Sequence, residues 1–159
     1  MNVPAPQAAP PRAAEVAAGL GRLLALIRWL SPPGLSLTAA ATLSTLERSG
    51  PCRLTALSAG EGVTQPAMTQ LVARLADSGL VSRSADPADG RVVHVHITTA
   101  GRALMASRRA VRAERIAGLL ARLSEADQAA LAAALPAMDA LASVQRDDQL
   151  AGAAGVPQH

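Results

Sequence analysis

The sequence has no phenylalanine, no tyrosine and no lysine, and it has one tryptophan and one cysteine among 159 residues. A single cysteine excludes a disulfide within the chain and a zinc site built from several cysteines. Without Phe and Tyr, the core must consist of Leu, Val, Ile, Met and Ala, which favours closely packed helices. Because every basic residue is arginine, the net charge of +3 persists to high pH, and the chain is only modestly basic.

Long hydrophobic runs are also missing. No run reaches the roughly 18 apolar residues that a membrane span needs. The apolar stretch after residue 15 is interrupted by Arg22 and Arg28, and its N-terminal flank is rich in proline, which is unlike a signal peptide. We therefore expect a cytoplasmic protein with no membrane partner, and the length predicts a single domain.

Residues 53–79 have the pattern of a helix–turn–helix. Leu54 and Leu57 give a first short helix its apolar spacing, and Gly60 and Gly62 bracket the turn that follows. The second helix has one apolar and one polar face, and a short helix of this kind is the element that enters a DNA major groove. The apolar stripe comprises Leu71, Val72 and Leu75, whereas the polar face comprises Gln65, Thr69, Gln70 and Arg74.

The ends of this second helix are also marked in the sequence. Thr64 is predicted to cap it, since its hydroxyl can accept from an unpaired N–H in the first turn. Pro66 lies in that turn, where its missing N–H costs nothing. Gly79 ends the helix. Two strands, 80–83 and 92–97, then flank a turn at Asp86–Arg91. The fold class is therefore mainly α with a small β-hairpin wing, a winged helix-turn-helix.

These segments resemble the MarR family of bacterial transcription regulators. The resemblance covers roughly residues 13–147, and its short motifs occur in the family's order and spacing. The matching segments are 37–38, 62–69, 75–81, 86–91 and 97–102.

The resemblance implies a ligand-responsive repressor that binds a palindromic operator in double-stranded DNA as a homodimer. The predicted domain spans 13–147, between a disordered tail at 1–12 and a frayed tail at 148–159. Its terminal helices, 13–31 and 101–147, would form the dimerisation layer, and 35–100 the DNA-binding lobe. Two-fold symmetry would place the recognition helices about 34–36 Å apart, one helical turn of DNA.

The resemblance also suggests roles for individual side chains. Thr64, Gln65, Pro66, Thr69 and Gln70 are expected to meet base edges or the backbone, the alternative being an ordinary solvated helix face. For Arg74 we expect a phosphate contact, the alternative being an ion pair with Asp77. At the tip of the wing, Arg91 would enter the minor groove, and Asp89 would orient Arg91. For these two, the alternative is a plain turn with a surface ion pair.

A small aromatic or phenolic acid is the effector that the resemblance suggests. It would bind between the dimerisation layer and the DNA-binding lobe. At the end of the first helix, Arg28, Trp29 and Leu30 are the candidate cleft residues, with Arg28 as the carboxylate partner. Core packing is the alternative role for all three.

Three further features have weaker interpretations. His94 and His96 share a strand face, but two ligands make a poor metal site, so none is predicted. Cys52 invites a redox-sensing role, yet it is not in the first helix, where the peroxide-sensing branch of the family has its cysteine. The arginine stripe of the long helix is expected to be solvated or paired with the acidic last helix, with phosphate contact as the alternative. This stripe comprises Arg108, Arg109, Arg112 and Arg115.

No set of residues predicts catalysis. The histidines are scattered, no glycine-rich phosphate loop occurs, and no Ser or Cys nucleophile has a nearby base. We therefore expect neither enzymatic activity nor a cofactor. A different function compatible with the same fold is a protein-interaction module that binds no operator.

Overall fold

The computed structural model describes residues 11–85 and 92–154, which form six helices and three short strands. In chain order the elements are α1 (Pro11–Leu30), α2 (Leu37–Ser49), β1 (Cys52–Arg53), α3 (Leu54–Gly60), α4 (Gln65–Asp77), β2 (Val81–Ala85), β3 (Val93–Ile97), α5 (Thr99–Leu120) and α6 (Glu125–Ala154). The mainly helical class with a small antiparallel wing is confirmed. None of the helices in these two ranges has the length and hydropathy that a membrane crossing needs.

Side-chain caps begin four of the helices, and at α6 the hydroxyl of Ser124 accepts from Asp127 N at 3.1 Å. The hydroxyl of Ser36 accepts from Ala39 N at 3.1 Å before α2, and the hydroxyl of Thr98 accepts from Gly101 N at 3.0 Å before α5. Thr64 accepts from Ala67 N at 3.4 Å, which confirms it as the cap of α4. Each cap satisfies a backbone donor that the first turn of a helix leaves open.

The end of α4 is fixed by a glycine in the left-handed region. Gly79 has φ +71°, and its N–H donates to Ala76 O at 2.8 Å. The next N–H, of Leu80, reaches back to Leu75 O at 2.9 Å. This pair of bonds is a Schellman motif, and it turns the chain sharply from α4 into β2.

The sheet has the order β1-β3-β2, with both pairings antiparallel. Val81 pairs with Ile97 and Ala85 with Val93, so β2 and β3 form the predicted wing. The strand β1, in which Cys52 pairs with Val95, was not predicted from the sequence. A strand of two residues is too short to show the alternation by which strands are recognised.

The core is aliphatic and lies mostly between α2, the helix pair α3–α4 and the sheet. Leu43, Leu46, Met68, Val72 and Val95 have no exposed surface. Around them the same cluster includes Ala39, Leu57, Leu71, Leu75, Val81, Ile97 and Met105. The core therefore supports α4 from behind and leaves the opposite face of that helix to solvent.

Both terminal helices extend beyond the predicted domain bounds of 13–147. The first helix begins at Pro11 rather than at residue 13, because proline is well suited to the first helical position. The last helix continues to Ala154 instead of fraying from 148, since Gln, Leu and Ala there sustain a helix. Part of α6 also lies against α3. The predicted division into a dimerisation layer and a separate lobe did not include this contact.

Candidate nucleic-acid interface

The turn between α3 and α4 sets where α4 projects from the core. Val63 N donates to Ser58 O at 3.1 Å, and Gly62 N donates to Ala59 O at 3.2 Å. Gly62 has φ +62°, a conformation that disfavours residues with a Cβ. These bonds hold the turn against the end of α3, and α4 packs directly on α3 beyond it.

The two faces of α4 are separated as the sequence predicts. Leu71, Val72 and Leu75 are buried, and Met68, which the predicted stripe omitted, is also fully buried. On the opposite face the side chains are exposed to solvent, and they are Gln65, Pro66, Thr69, Gln70 and Arg74. At 100° per residue, Pro66 and Gln70 lie near the middle of this face, and Gln65 and Arg74 lie at its edges.

The exposed face of α4 is largely uncommitted to the rest of the protein. In the described part of the chain, no side-chain hydrogen bond or ion pair holds Gln65, Gln70 or Arg74, so the alternative ion pair with Asp77 does not form. Thr69 is different, because its Oγ1 donates to Gln65 O at 2.9 Å. Its methyl group and the oxygen's acceptor capacity remain for a partner.

Glu61, immediately before Gly62, is a residue of this site that the sequence analysis did not identify. Its Oε1 accepts from Thr45 Oγ1 of α2 at 3.3 Å, so it links the turn of the helix pair to the core. Burial raises the pKa of Glu61, against the opposing effects of Thr45 and the charge of Arg48. The only sequence signal is a lone acid between Gly60 and Gly62, which does not reveal its partner.

The raised pKa of Glu61 predicts a dependence of stability on pH. Folding favours the protonated carboxyl, so the stability this group contributes is present below its ordinary pKa. That stability is lost as the pH rises through the raised pKa. Relative to a Glu61→Gln variant, the melting temperature of the wild-type protein should therefore fall as the pH rises above about 4.3, the ordinary pKa of glutamate. The exposed Glu114→Gln is the matched control and should track wild type. A Glu61→Gln variant that also tracks wild type as the pH rises would contradict the prediction.

The wing is only partly described. Ser84 Oγ and His96 Nε2 lie 2.8 Å apart, on β2 and β3. Arg91 and Asp89, predicted at its tip, lie outside the described residues. Within the described ranges no three His, Cys, Asp or Glu side chains group closely enough to hold a metal ion.

Cys52 has a setting that disfavours the thiolate. The side chain is half-buried, and its Sγ donates to Gly50 O at 3.4 Å. Burial raises the pKa of this thiol, whereas reactive cysteines need a lowered pKa. The geometry does not favour redox sensing by Cys52.

The arginines of α5 form only part of the solvated stripe that the sequence suggested: Arg109 and Arg115 are exposed, whereas Arg108 is buried. Arg108 is only 5% exposed and donates through Nη1 to Pro33 O at 2.9 Å. Arg109 forms a two-bond ion pair with Glu47 of α2, which holds the pKa of Glu47 below its ordinary value. These partners lie more than 60 positions away in the sequence. No local pattern could have revealed them.

A shallow cleft of about 450 Å³ lies where α1 turns into α2. Of the three candidate cleft residues, only Arg28 lines it. Leu30 is 2% exposed and belongs to the interior, and Trp29 is 62% exposed and points elsewhere. The remaining lining residues are Ser31, Pro32, Pro33, Leu35, Ser36 and Leu37.

Comparison with known proteins identifies the family. A family model described as MarR family matches residues 35–93, which include α2, the helix pair and the start of β3. An uncharacterized HTH-type transcriptional regulator of Mycobacterium bovis is 35% identical over 130 residues, or 81% of this chain and 91% of that protein. The chain belongs to the MarR family. It is thus a DNA-binding transcriptional regulator with a winged helix-turn-helix, and its relatives are regulators rather than enzymes.

Solved structures show the same fold. RV1404 from Mycobacterium tuberculosis superimposes with a TM-score of 0.75 at 22% identity, over 86% of this chain and 97% of that one. BpsR from Bordetella bronchiseptica, whose DNA binding is regulated by 6-hydroxynicotinic acid, gives 0.58 at 24% identity, over 80% and 97%. The MarR-like arrangement of helices and wing is thereby confirmed.

Proposed function

We propose that the chain acts as a homodimeric repressor that binds a palindromic operator through α4 and is released by a small aromatic acid. The observation that carries the proposal is the exposed polar face of α4, opposite a buried apolar face. A helix supported in this way can insert into a major groove without loss of its own packing. Because such a regulator acts on the chromosome, we expect it in the cytoplasm.

The exposed apolar side chains of α1 and α6 support the homodimer. On α1 they recur with helical spacing at Val16, Leu20, Leu24 and Ile27, each at least 44% exposed. The corresponding residues of α6, each at least 40% exposed, are Leu131, Leu135, Met138, Leu141 and Val144. A single copy leaves these faces in water, and a second copy of the same chain would cover them.

Each exposed residue of α4 has a chemistry that suits part of a DNA site. Gln65 and Gln70 can pair with adenine, and the methyl group of Thr69 can meet that of thymine. Thr64 and Pro66 lie at the N-terminus of the helix, close to where a phosphate would be favoured. For the wing we propose that Arg91 enters the minor groove and that Asp89 orients it.

Arg74 lies at the edge of the exposed face, where a phosphate contact is the natural role for a cation. Replacing it by alanine should weaken binding to all sequences alike. The slope of the logarithm of the binding constant against the logarithm of the salt concentration should also become shallower. In a homodimer the change for Arg74→Ala is about 1.8, which is about 0.9 for each lost phosphate contact. Titrations from about 50 mM to about 200 mM salt measure this slope. Arg122→Ala, in the exposed connection after α5, is the matched control, and an equal slope for both variants would remove Arg74 from the interface.

The cleft between α1 and α2 is the proposed effector site. It has one guanidinium, from Arg28, together with two hydroxyls and aliphatic walls, which suit the carboxylate and ring of a small aromatic acid. The regulation of BpsR by 6-hydroxynicotinic acid supports this ligand class. Binding at this junction would change the separation of the two recognition helices. A coupling of about 1–3 kcal/mol would be enough for regulation.

Selection from a random DNA library, followed by gel-shift titration, tests the proposed function. Wild-type protein should enrich one palindromic sequence and retain it against about a 1,000-fold excess of random DNA. Arg91→Ala should weaken that complex. If no sequence is enriched and no promoter fragment is retarded, the chain is instead a winged helix used for protein contacts.

A further inference from the structure

We propose that Arg108 is a positioning residue for DNA binding: it holds the segment between α1 and α2 and so sets the angle between the dimerisation helices and the recognition helix. The inference rests on the proposed function for its effect on DNA. Its structural part, the fixed angle, stands within a single chain and can be measured without DNA.

The segment that Arg108 holds has few other means of attachment. Residues 31–36 join α1 to α2 and contain Pro32 and Pro33, which have no backbone N–H to donate. The segment is tied at its start by Ser31 Oγ to Ile27 O at 2.7 Å and at its end by the Ser36 cap. The two prolines can take part in hydrogen bonds only through their carbonyl oxygens, and beyond them Leu35 packs against the core. A side chain that only donates is the matching partner, and Arg108 supplies it at Pro33 O.

A second arginine on the same helix holds the end of α1. Arg115 donates through Nη1 to Trp29 O at 3.2 Å and to Leu30 O at 3.3 Å. These are among the last carbonyls of α1, which have no partner within the helix and favour a cation. Since Arg108 and Arg115 are seven residues apart, they share one face of α5, and their positions are about 10 Å apart along its axis.

A third contact connects the same stretch of α5 to the end of α2. Arg109 donates to both carboxylate oxygens of Glu47, which lies in the last turns of α2. The end of α1, the segment that follows it and the last turn of α2 are thus all held by α5. Because α2 packs in the core that supports α4, fixing this junction also fixes the direction of α4 relative to α1.

The burial of Arg108 is unfavourable in itself. Its role in positioning the junction is therefore distinct from a contribution to the stability of the fold. Among the described residues no carboxylate pairs with Arg108, and the Nε atoms of both Arg108 and Arg112 are buried there without an acceptor. Burial, and the charge of Arg112, lower the pKa of Arg108. Replacing buried charged groups by apolar residues of similar size is often neutral or stabilising. An Arg108→Met variant should therefore remain folded while its junction becomes looser.

The first test measures the junction directly. Two spin labels are attached in a Cys52→Ser background, one at Arg22→Cys of α1 and one at Gln70→Cys of α4. Labelled protein is diluted with unlabelled protein, so that the measured distance is the one between two labels of the same chain. The wild-type distance distribution should be narrow, Arg108→Met should broaden it, and Arg122→Met should leave it unchanged. Arg108→Lys keeps a donor, so its distance distribution should be narrower than that of Arg108→Met. Equal widths for wild type and Arg108→Met would overturn the proposal.

The second test uses DNA selected from a random library by wild-type protein. Inserting 2 bp between the half-sites should weaken wild-type binding by at least about 10-fold, but weaken Arg108→Met by less than about 3-fold. The salt slope should remain within about 0.5 of wild type, because no phosphate contact is lost. A slope reduced by about 1.8 would place Arg108 on the DNA and contradict the inference. If Arg108→Met does not fold, Arg108→Leu, which also removes every donor, takes its place, and an unchanged spacing preference in that variant would overturn the proposal. If wild type selects no DNA, the proposed function fails, and the spin-label widths alone decide the inference.

Discussion

Replacing Thr69 and Gln70 together by alanine should lower the preference for the operator over random DNA by about 30-fold to about 10⁴-fold. A good side-chain contact to a base edge contributes about 1–3 kcal/mol of discrimination, and a homodimer makes it twice. Both side chains are exposed, so the melting temperature should stay near that of wild type. Competition titrations with selected and random DNA measure the ratio. A double variant of exposed residues remote from α4, Glu114→Ala with Arg122→Ala, is the control.

Single substitutions of Thr69 separate its two groups. Its hydroxyl proton is already donated to Gln65 O, so the methyl group is the part best placed for thymine. Thr69→Val should therefore keep more of the operator preference than Thr69→Ser, which loses the methyl. The reverse order would show that the hydroxyl reads the base. An unchanged preference in the double alanine variant would exclude these two residues from recognition.

Gly101→Ala, in the first turn of α5, should destabilise the protein. A Cβ there would overlap the carbonyl oxygen of Leu80 and lie 2.8 Å from Cγ1 of Ile97. The Leu80 carbonyl cannot easily move, because it accepts from Thr98 N at 3.1 Å. Overpacking of this kind costs about 1–3 kcal/mol, which in a chain of this size lowers the melting temperature by roughly 2–12 °C.

Gly118→Ala is the matched control for this prediction. Gly118 lies in the same helix, and nothing is within 4 Å of a Cβ added there. The substitution should stabilise the protein by about 0.5–1 kcal/mol, because alanine is the better helix former. Thermal unfolding followed by circular dichroism measures both variants. Equal effects at the two positions would contradict the close packing of α5 against the α4–β2 connection.

The helix pair and the wing could be predicted because their signals are local. Thr64, Pro66 and Gly79 mark the ends of α4, and the alternation from Val92 to Ile97 marks a strand. The separation of buried and exposed faces on α4 follows from helical spacing alone. The confirmed parts of the fold therefore depend on residues that are close together in the sequence.

The parts that could not be predicted depend on contacts between distant segments. Arg108 resembles its neighbours on α5 in the sequence, yet only the fold brings it to Pro33. Glu61 meets Thr45, sixteen positions earlier, and no spacing rule connects them. From the sequence alone, Gly101 is a residue that weakens a helix. Only the fold shows that the backbone of Leu80 lies too close for any larger residue at this position.

The central claim is that two copies of α4 read one operator together. Light scattering of the purified protein, followed by native mass measurement of its complex with selected DNA, tests this claim most directly. We expect a free protein of about twice 16.1 kDa and two chains on each duplex. Hydroxyl-radical footprints should show two protected regions centred about 10–10.5 bp apart on one face of the DNA. A single chain on the duplex, or one protected region, would contradict the account.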